Sequence, residues 1–246
     1  MNILRSLILI IPILGVISCN SQAKKSPIAK VDVVFQEDTL KFTESQKEFI
    51  SNVIRKSEEE VRQLLPNVPD SIQVIVENVD WNLDIVNGVT GRTETNSPPL
   101  VLVQISNNYK GGVIDSTYQG IKSTIFHEFH HLSRGWAIQD NKFSYGIPNA
   151  MVNEGLAVAF TEIYTGNINE VNSYPKEADS WVKEILALPL DASYSEWVMG
   201  EHPDGRTYIG YRTGNFLARK AMTTSGKTIL ELSELMPNEI LKLAGY

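Results

Sequence analysis

Three of the four histidines in the chain lie within five residues, in the segment His127-Glu-Phe-His-His131. On a helix, His127 and His131 are four residues apart and stack on one face, so both imidazoles can reach one ion. Glu128 falls beside this stripe, where its carboxylate can accept a proton from water without ligating the ion. Imidazole is a preferred zinc ligand, and a catalytic zinc keeps one position open for water. The spacing therefore predicts a zinc site with Glu128 as general base.

A helix from about Ser116 to Arg134 is predicted to carry these residues. Ser116 and Gln119 match a capping box, and Gly135 follows the last turn. The apolar positions fall on a separate face from the histidine stripe and are Ile121, Ile125, Phe129 and Leu132. One face can therefore enter the core while another forms a site. His130 belongs to a third sector, where we expect it behind the ligands or at the surface.

A catalytic zinc needs a third protein ligand, and the next predicted helix, which follows Pro148, offers one at Glu154. Glu154 lies in the segment Asn153-Glu-Gly-Leu-Ala157, 23 positions after His131. A His-Glu-x-x-His segment followed by Asn-Glu-Gly-Leu-Ala resembles the gluzincins, whose third ligand is the glutamate of a similar helix. More narrowly, HEFHH with EGLA resembles a family of predicted zinc-dependent proteases that is still labelled a domain of unknown function.

The resemblance covers roughly residues 42–246, with strong motifs only at the two helices. It implies that His127, His131 and Glu154 are zinc ligands and that Glu128 is the general base. The activity it implies is hydrolysis of peptide bonds by a metal-activated water, with Zn²⁺ as cofactor and a peptide or protein as substrate.

Glu162 competes with Glu154 for the role of third ligand, because it lies two turns later on a similar face. Gly155 and Ala157 are small enough for another helix to approach closely, which favours Glu154. The best-known gluzincins have fewer residues between the two motifs, and the predicted loop 137–148 can hold the difference.

A site of this kind also needs a donor for the oxyanion that develops during hydrolysis. In related families a tyrosine or histidine from a later segment does this, and the candidates here are Tyr208, Tyr211, Arg212 and His202. Tyr208 and Tyr211 are three residues apart on a predicted helix. We expect the substrate to add as a strand along a sheet edge, with Leu100–Ser106 as the candidate.

The first residues have the organisation of an export signal. Residues 1–5 carry one positive charge, and residues 7–17 form an apolar run that is too short for the roughly 20 residues of a membrane-spanning helix. The run ends at Ser18-Cys19, which resembles the lipobox of bacterial lipoproteins. We expect a signal peptide over 1–18, lipidation at Cys19 in a bacterial cell envelope, and a flexible tether over 19–30. An ordinary secretory signal with an incidental cysteine is the alternative.

The rest of the chain predicts strands first and helices second. Strands are predicted over 31–35, 72–76 and 100–105, and helices over 43–65, 116–134, 148–166, 175–188, 207–222 and 230–243 with a break at Pro237. Residues 87–99, rich in Gly, Thr, Asn and Pro, predict a loop. The expected fold is α+β and, from the resemblance, zincin-like: a small N-terminal sheet packed on the active-site helix with a mainly helical C-terminal lobe. The domain would cover 31–246, in lobes of about 31–146 and 147–246.

Composition limits the possible partners. The formal charge of −7 and the lack of a basic cluster exclude nucleic acid as an expected partner. Length and composition suit one globular domain, which we expect to be a monomer. A lipid-anchored scaffold that keeps the fold without hydrolysis is the alternative function, and the intact Glu128 argues against it. Metal capture is a weaker alternative, since three ligands with one open position suit turnover better than storage.

Overall fold

The computed structural model describes residues 30–37, 39–114 and 117–246. The predicted signal peptide, Cys19, Ser116 and all of the predicted tether except Lys30 lie outside these residues. Across the described part of the chain, no helix combines the length and the apolar character needed to cross a membrane.

One four-stranded sheet occupies the first half of the chain, in the order β1-β2-β4-β3. The strands are β1 (Lys30–Gln36), β2 (Ser71–Val79), β3 (Val89–Asn96) and β4 (Pro99–Ser106). β1, β2 and β4 are parallel, whereas β3 runs antiparallel to β4. The two interior strands contribute fully buried side chains, namely Val74, Val76, Val101, Val103 and Ile105. These β-branched residues suit strands that are paired on both sides.

Two expectations about the sheet are wrong. The predicted loop over 87–99 contains strand β3, and Leu100–Ser106 lies in interior strand β4 rather than at an edge. β3 pairs on one side only, and of its side chains only Val89 and Thr93 are buried. Polar and small residues are therefore tolerated along β3, and its amino-acid composition is not typical of a strand. β1 also begins one residue earlier than expected, at Lys30.

Seven α-helices account for most of the remainder of the described chain. They are α1 (Glu44–Leu64), α2 (Tyr118–Arg134), α3 (Ile147–Thr165), α4 (Ala178–Leu186), α5 (Ile209–Ser225), α6 (Ile229–Ser233) and α7 (Pro237–Leu243). The capping box of Thr43 and Gln46 at the start of α1 is confirmed. The one predicted for α2 is wrong, because the N-cap is Thr117 and its side chain makes no capping hydrogen bond. Gly135 ends α2 in the left-handed conformation, as expected.

Helix α3 is the centre of the helical part and is buried around most of its circumference, against α2 and α5. Its backbone meets that of α5 at two glycines: a Cβ on Gly155 would lie only 2.0 Å from the carbonyl carbon of Gly214. The expected close helix approach at Gly155 is therefore confirmed. The fold is mixed α/β, a small sheet with a mostly helical remainder, and one apolar core runs continuously through both parts. The division into two lobes stays a prediction.

Candidate metal centre

The two histidines of the α2 stripe face the same space. The rings of His127 and His131 are 4.6 Å apart, edge to face. His131 is buried, with 4% of its surface exposed, and 17% of the His127 side chain is exposed. α2 can present them together because its opposite face, including Ile121, Ile125 and Phe129, is anchored in the core.

Glu154 completes the cluster from α3. Its Oε2 lies 3.1 Å from Nε2 of His127 and 3.1 Å from Nε2 of His131. One donor atom from each of the three residues falls within 4.8 Å of the others. Glu162, the competing carboxylate, is not part of this cluster, because it pairs with Arg219 at 2.7 Å and accepts a hydrogen bond from Asn215.

Electrostatic interactions within the cluster keep Glu154 ionised. Burial alone would raise the pKa of Glu154, but the two imidazoles hold it well below its usual range. Burial opposes protonation of His127, yet the Glu154 hydrogen bond and the Glu128 charge raise its pKa above the usual value. An anionic carboxylate oxygen thus lies between two ring nitrogens. Two imidazoles and one carboxylate are a donor set of catalytic zinc sites, so these residues fit a zinc ion.

The other oxygen of Glu154 is held by two residues that sequence reasoning missed. The indole N–H of Trp136 donates to Oε1 at 3.0 Å, and the hydroxyl of Tyr194 donates to the same atom at 3.3 Å. These bonds fix the carboxylate so that Oε2 faces the histidines. Trp136 directly follows the C-cap Gly135, so its proximity to His131 was readable from the chain. Tyr194 lies in a segment without any motif, and only tertiary packing brings it here.

The side chain of Glu128 projects from α2 and lies against the edge strand β3. It is 4% exposed, and the hydroxyl of Thr93 on β3 donates to its Oε2 at 3.0 Å. Gly91 permits this contact, since a Cβ there would lie 2.5 Å from the Thr124 side chain and 3.1 Å from that of Glu128. Burial raises the pKa of Glu128 above the usual range for a carboxyl group. A raised pKa makes the carboxylate a stronger base.

Most of this chain matches a known family model. Residues 50–242 match the family described as "Predicted Zn-dependent protease (DUF2268)", a range that contains every residue of the cluster. The chain belongs to this family. A search of curated proteins found no match. A search of solved structures found none either.

Of the four candidate oxyanion donors, two line the cleft that contains the cluster and two do not. Tyr208 and Tyr211 both line the cleft that contains the cluster, and the Tyr211 ring lies 6.1 Å from that of His127. The two tyrosines do not share a helix face, because Tyr208 is the N-cap of α5 with φ 52°. His202 pairs instead with Asp204 at 2.9 Å, and neither His202 nor Arg212 is among the residues lining the cleft.

His130 is fully buried, so a place at the surface is excluded. Its Nε2 lies 2.8 Å from Oγ of Ser233, and its ring packs on Phe160. Burial, with the nearby charge of Arg134, lowers its pKa well below the usual value. This neutral imidazole packs between helices behind the cluster and is not part of the group that could hold a metal.

Proposed function

We propose that this protein is a zinc-dependent peptidase of zincin-like fold that hydrolyses peptide bonds. One observation carries the proposal: Oε2 of Glu154 lies 3.1 Å from both histidine nitrogens, with the buried Glu128 on the same helix as those histidines. The family description agrees with this reading.

Each side chain has a separate task in the proposed reaction. The zinc would be held by His127, His131 and Glu154. It would act as a Lewis acid, which lowers the pKa of bound water and polarises a carbonyl group. Glu128 accepts a proton, a task favoured by its raised pKa and by the Thr93 hydrogen bond that orients it.

Tyr211 is our choice of donor to the carbonyl oxygen of the substrate. Burial, together with the negative charge of Glu154, raises the pKa of Tyr211 well above its usual value. The phenol therefore keeps its proton and can donate a hydrogen bond. Tyr194 also faces the cleft and donates to Glu154, but we favour Tyr211 because its ring lies 6.1 Å from that of His127.

Strand addition remains our proposal for substrate binding, with the edge moved from β4 to β3. The carbonyl of Thr93 faces away from β4, since it accepts a hydrogen bond from the backbone N–H of Ile138 at 3.1 Å. Backbone groups alternate along a strand, so those of Gly91, two residues earlier, also face away from β4. A peptide there would pass directly in front of Glu128.

The N-terminal segment supports a proposal about location. The apolar run, the small Ser18 and Cys19 follow in the order of a lipoprotein signal. We propose that Cys19 carries lipid and anchors the peptidase to a bacterial envelope membrane as a monomer on the exported side.

Two conservative variants test the proposed function. Glu154→Gln weakens a direct zinc contact, so zinc content and hydrolysis of a mixed peptide library should fall together. Glu128→Gln keeps all three ligands, so zinc should stay bound while the rate falls by about 10² to 10⁴. A chelator should abolish the activity of the parent protein. If both variants cleave the library as fast as the parent, the peptidase proposal is wrong and a non-catalytic scaffold takes its place.

A further inference from the structure

The cleft that contains the metal cluster is a long groove, and the candidate site lies in the middle of it. Helix α2 and strand β3 run side by side: Gly120 lies against Val89, Glu128 against Thr93, and the Gly135 carbonyl accepts a hydrogen bond from Asn96. Glu128 is eight residues after Gly120 and seven before Gly135. At 1.5 Å per residue, the stretch of α2 from Gly120 to Glu128 is about 12 Å long, which matches about four residues of an extended peptide. Beyond Thr93, segment 138–140 already covers the edge of β3, because the N–H of Ile138 bonds to the Thr93 carbonyl.

The groove is lined well beyond the metal cluster in both directions. Its volume is about 880 Å³, near the upper end of the roughly 300–1,000 Å³ typical of ligand sites. Ile85 lines it on the side where β3 begins, and Ile138 and Tyr145 line it on the other side. These three side chains are 56%, 55% and 78% exposed, whereas Glu128 is 4% exposed. Both ends are therefore open to solvent, and only the centre is enclosed.

In the described lining, no charged side chain outside the metal cluster and Glu128 is without a partner of opposite charge. Apart from the metal cluster and Glu128, the charged residues of the described lining are Arg92 and Glu162. Arg92 pairs with Glu94 on the same strand, and Glu162 pairs with Arg219. An enzyme that removes terminal residues binds an α-ammonium or α-carboxylate group close to the cleaved bond. Burial of such a group in the enclosed centre without a counter-charge is costly. The lining instead presents isoleucines and a tyrosine at its two ends.

We propose that this protein is an endopeptidase, which cleaves bonds inside an extended chain and binds apolar side chains on both sides of the cleaved bond. The inference rests on the proposed function, since it concerns the substrate of that same site. Apolar side chains that line a cleft beside a few polar groups are typical of a ligand site. Ile85 contacts the substrate on one side of the cleaved bond, and Ile138 contacts it on the other.

Blocked peptides test the first half of the proposal. Two libraries share the same randomised sequences, one with free ends and one acetylated and amidated, and mass spectrometry locates the cleavage sites of the zinc-loaded protein. We expect the same internal sites in both, at rates within about threefold, because no charge at the ends is recognised. Cleavage of the free-ended library alone, or removal of single terminal residues, overturns the inference but leaves the peptidase proposal standing. No cleavage of either library overturns both.

Three identical substitutions test the second half. Ile85→Ser and Ile138→Ser should each lower kcat/KM by about 3- to 10-fold and weaken the preference for apolar residues on one side of the cleaved bond. Ile168→Ser is the matched control, because Ile168 is 70% exposed and is not part of the groove. Equal kcat/KM and unchanged preferences in all three variants would overturn the assignment of the apolar ends.

Discussion

The hydrogen bond from Trp136 to Glu154 makes a quantitative prediction about zinc affinity. Trp136→Phe removes the indole N–H that lies 3.0 Å from Oε1 of Glu154 and keeps an aromatic ring beside Phe143. The carboxylate is buried and already turns its other oxygen toward the histidines. Without the indole, the carboxylate loses part of what fixes its orientation, and zinc binding should weaken.

The expected loss of zinc affinity depends on the hydrogen bond to Glu154 that remains. A hydrogen bond to a charged group contributes about 1.5–3 kcal/mol. The longer bond from Tyr194 survives, so we take the lower end, which corresponds to about tenfold weaker binding at 1.4 kcal/mol per tenfold. Residues that orient metal ligands typically change affinity by about 10- to 100-fold. Removal of both donors, in Trp136→Phe with Tyr194→Phe, should move the loss toward the upper figure.

A zinc titration against a competing chromophoric chelator measures this at fixed pH and salt. Trp81→Phe is the control, because Trp81 is 49% exposed and is not among the residues lining the groove. It should bind zinc like the parent. If Trp136→Phe also binds like the parent, the indole does not orient the ligand and the reasoning fails.

Three further changes have distinct expected outcomes. His131→Ala leaves two ligands and should lose most of the bound zinc, measured by metal analysis; full occupancy would remove this residue from the site. Gly155→Ala places a Cβ against the Gly214 backbone and should lower the free energy of unfolding by about 2 kcal/mol or more, despite the better helix propensity of alanine; an unchanged urea midpoint would contradict the close packing. Cys19→Ser should move the protein from the membrane to the soluble fraction, and unchanged partitioning would indicate a different anchor.

The helices and the histidine pair could be predicted from the sequence because they depend on interactions between residues close together in the chain. The capping box of Thr43 and Gln46 and the glycine after α2 act within one or two turns. His127 and His131 share a helix face for the same reason, since a separation of four residues fixes their relative position before any tertiary contact forms.

The edge strand could not be predicted, because its sequence reflects its neighbours rather than an intrinsic preference. β3 combines glycine, threonine and charged residues and pairs on one side only. An exposed edge accepts such residues, whereas the interior β4 requires apolar ones. The apolar pattern of β4 agrees with an interior place, but the order of strands is a property of the whole sheet and does not follow from one strand's sequence.

The third member of the candidate metal cluster was suggested by the sequence, and the tertiary structure decided between the two glutamates. Glu154 and Glu162 occupy similar helix faces, and only the packing of α3 against α2 and α5 separates them: Glu154 meets the histidines, and Glu162 meets Arg219. Tyr194, 40 residues beyond Glu154, reaches it through the same packing. Helical periodicity fixes what lies within a few turns of chain, whereas contacts between distant segments depend on how the complete core closes.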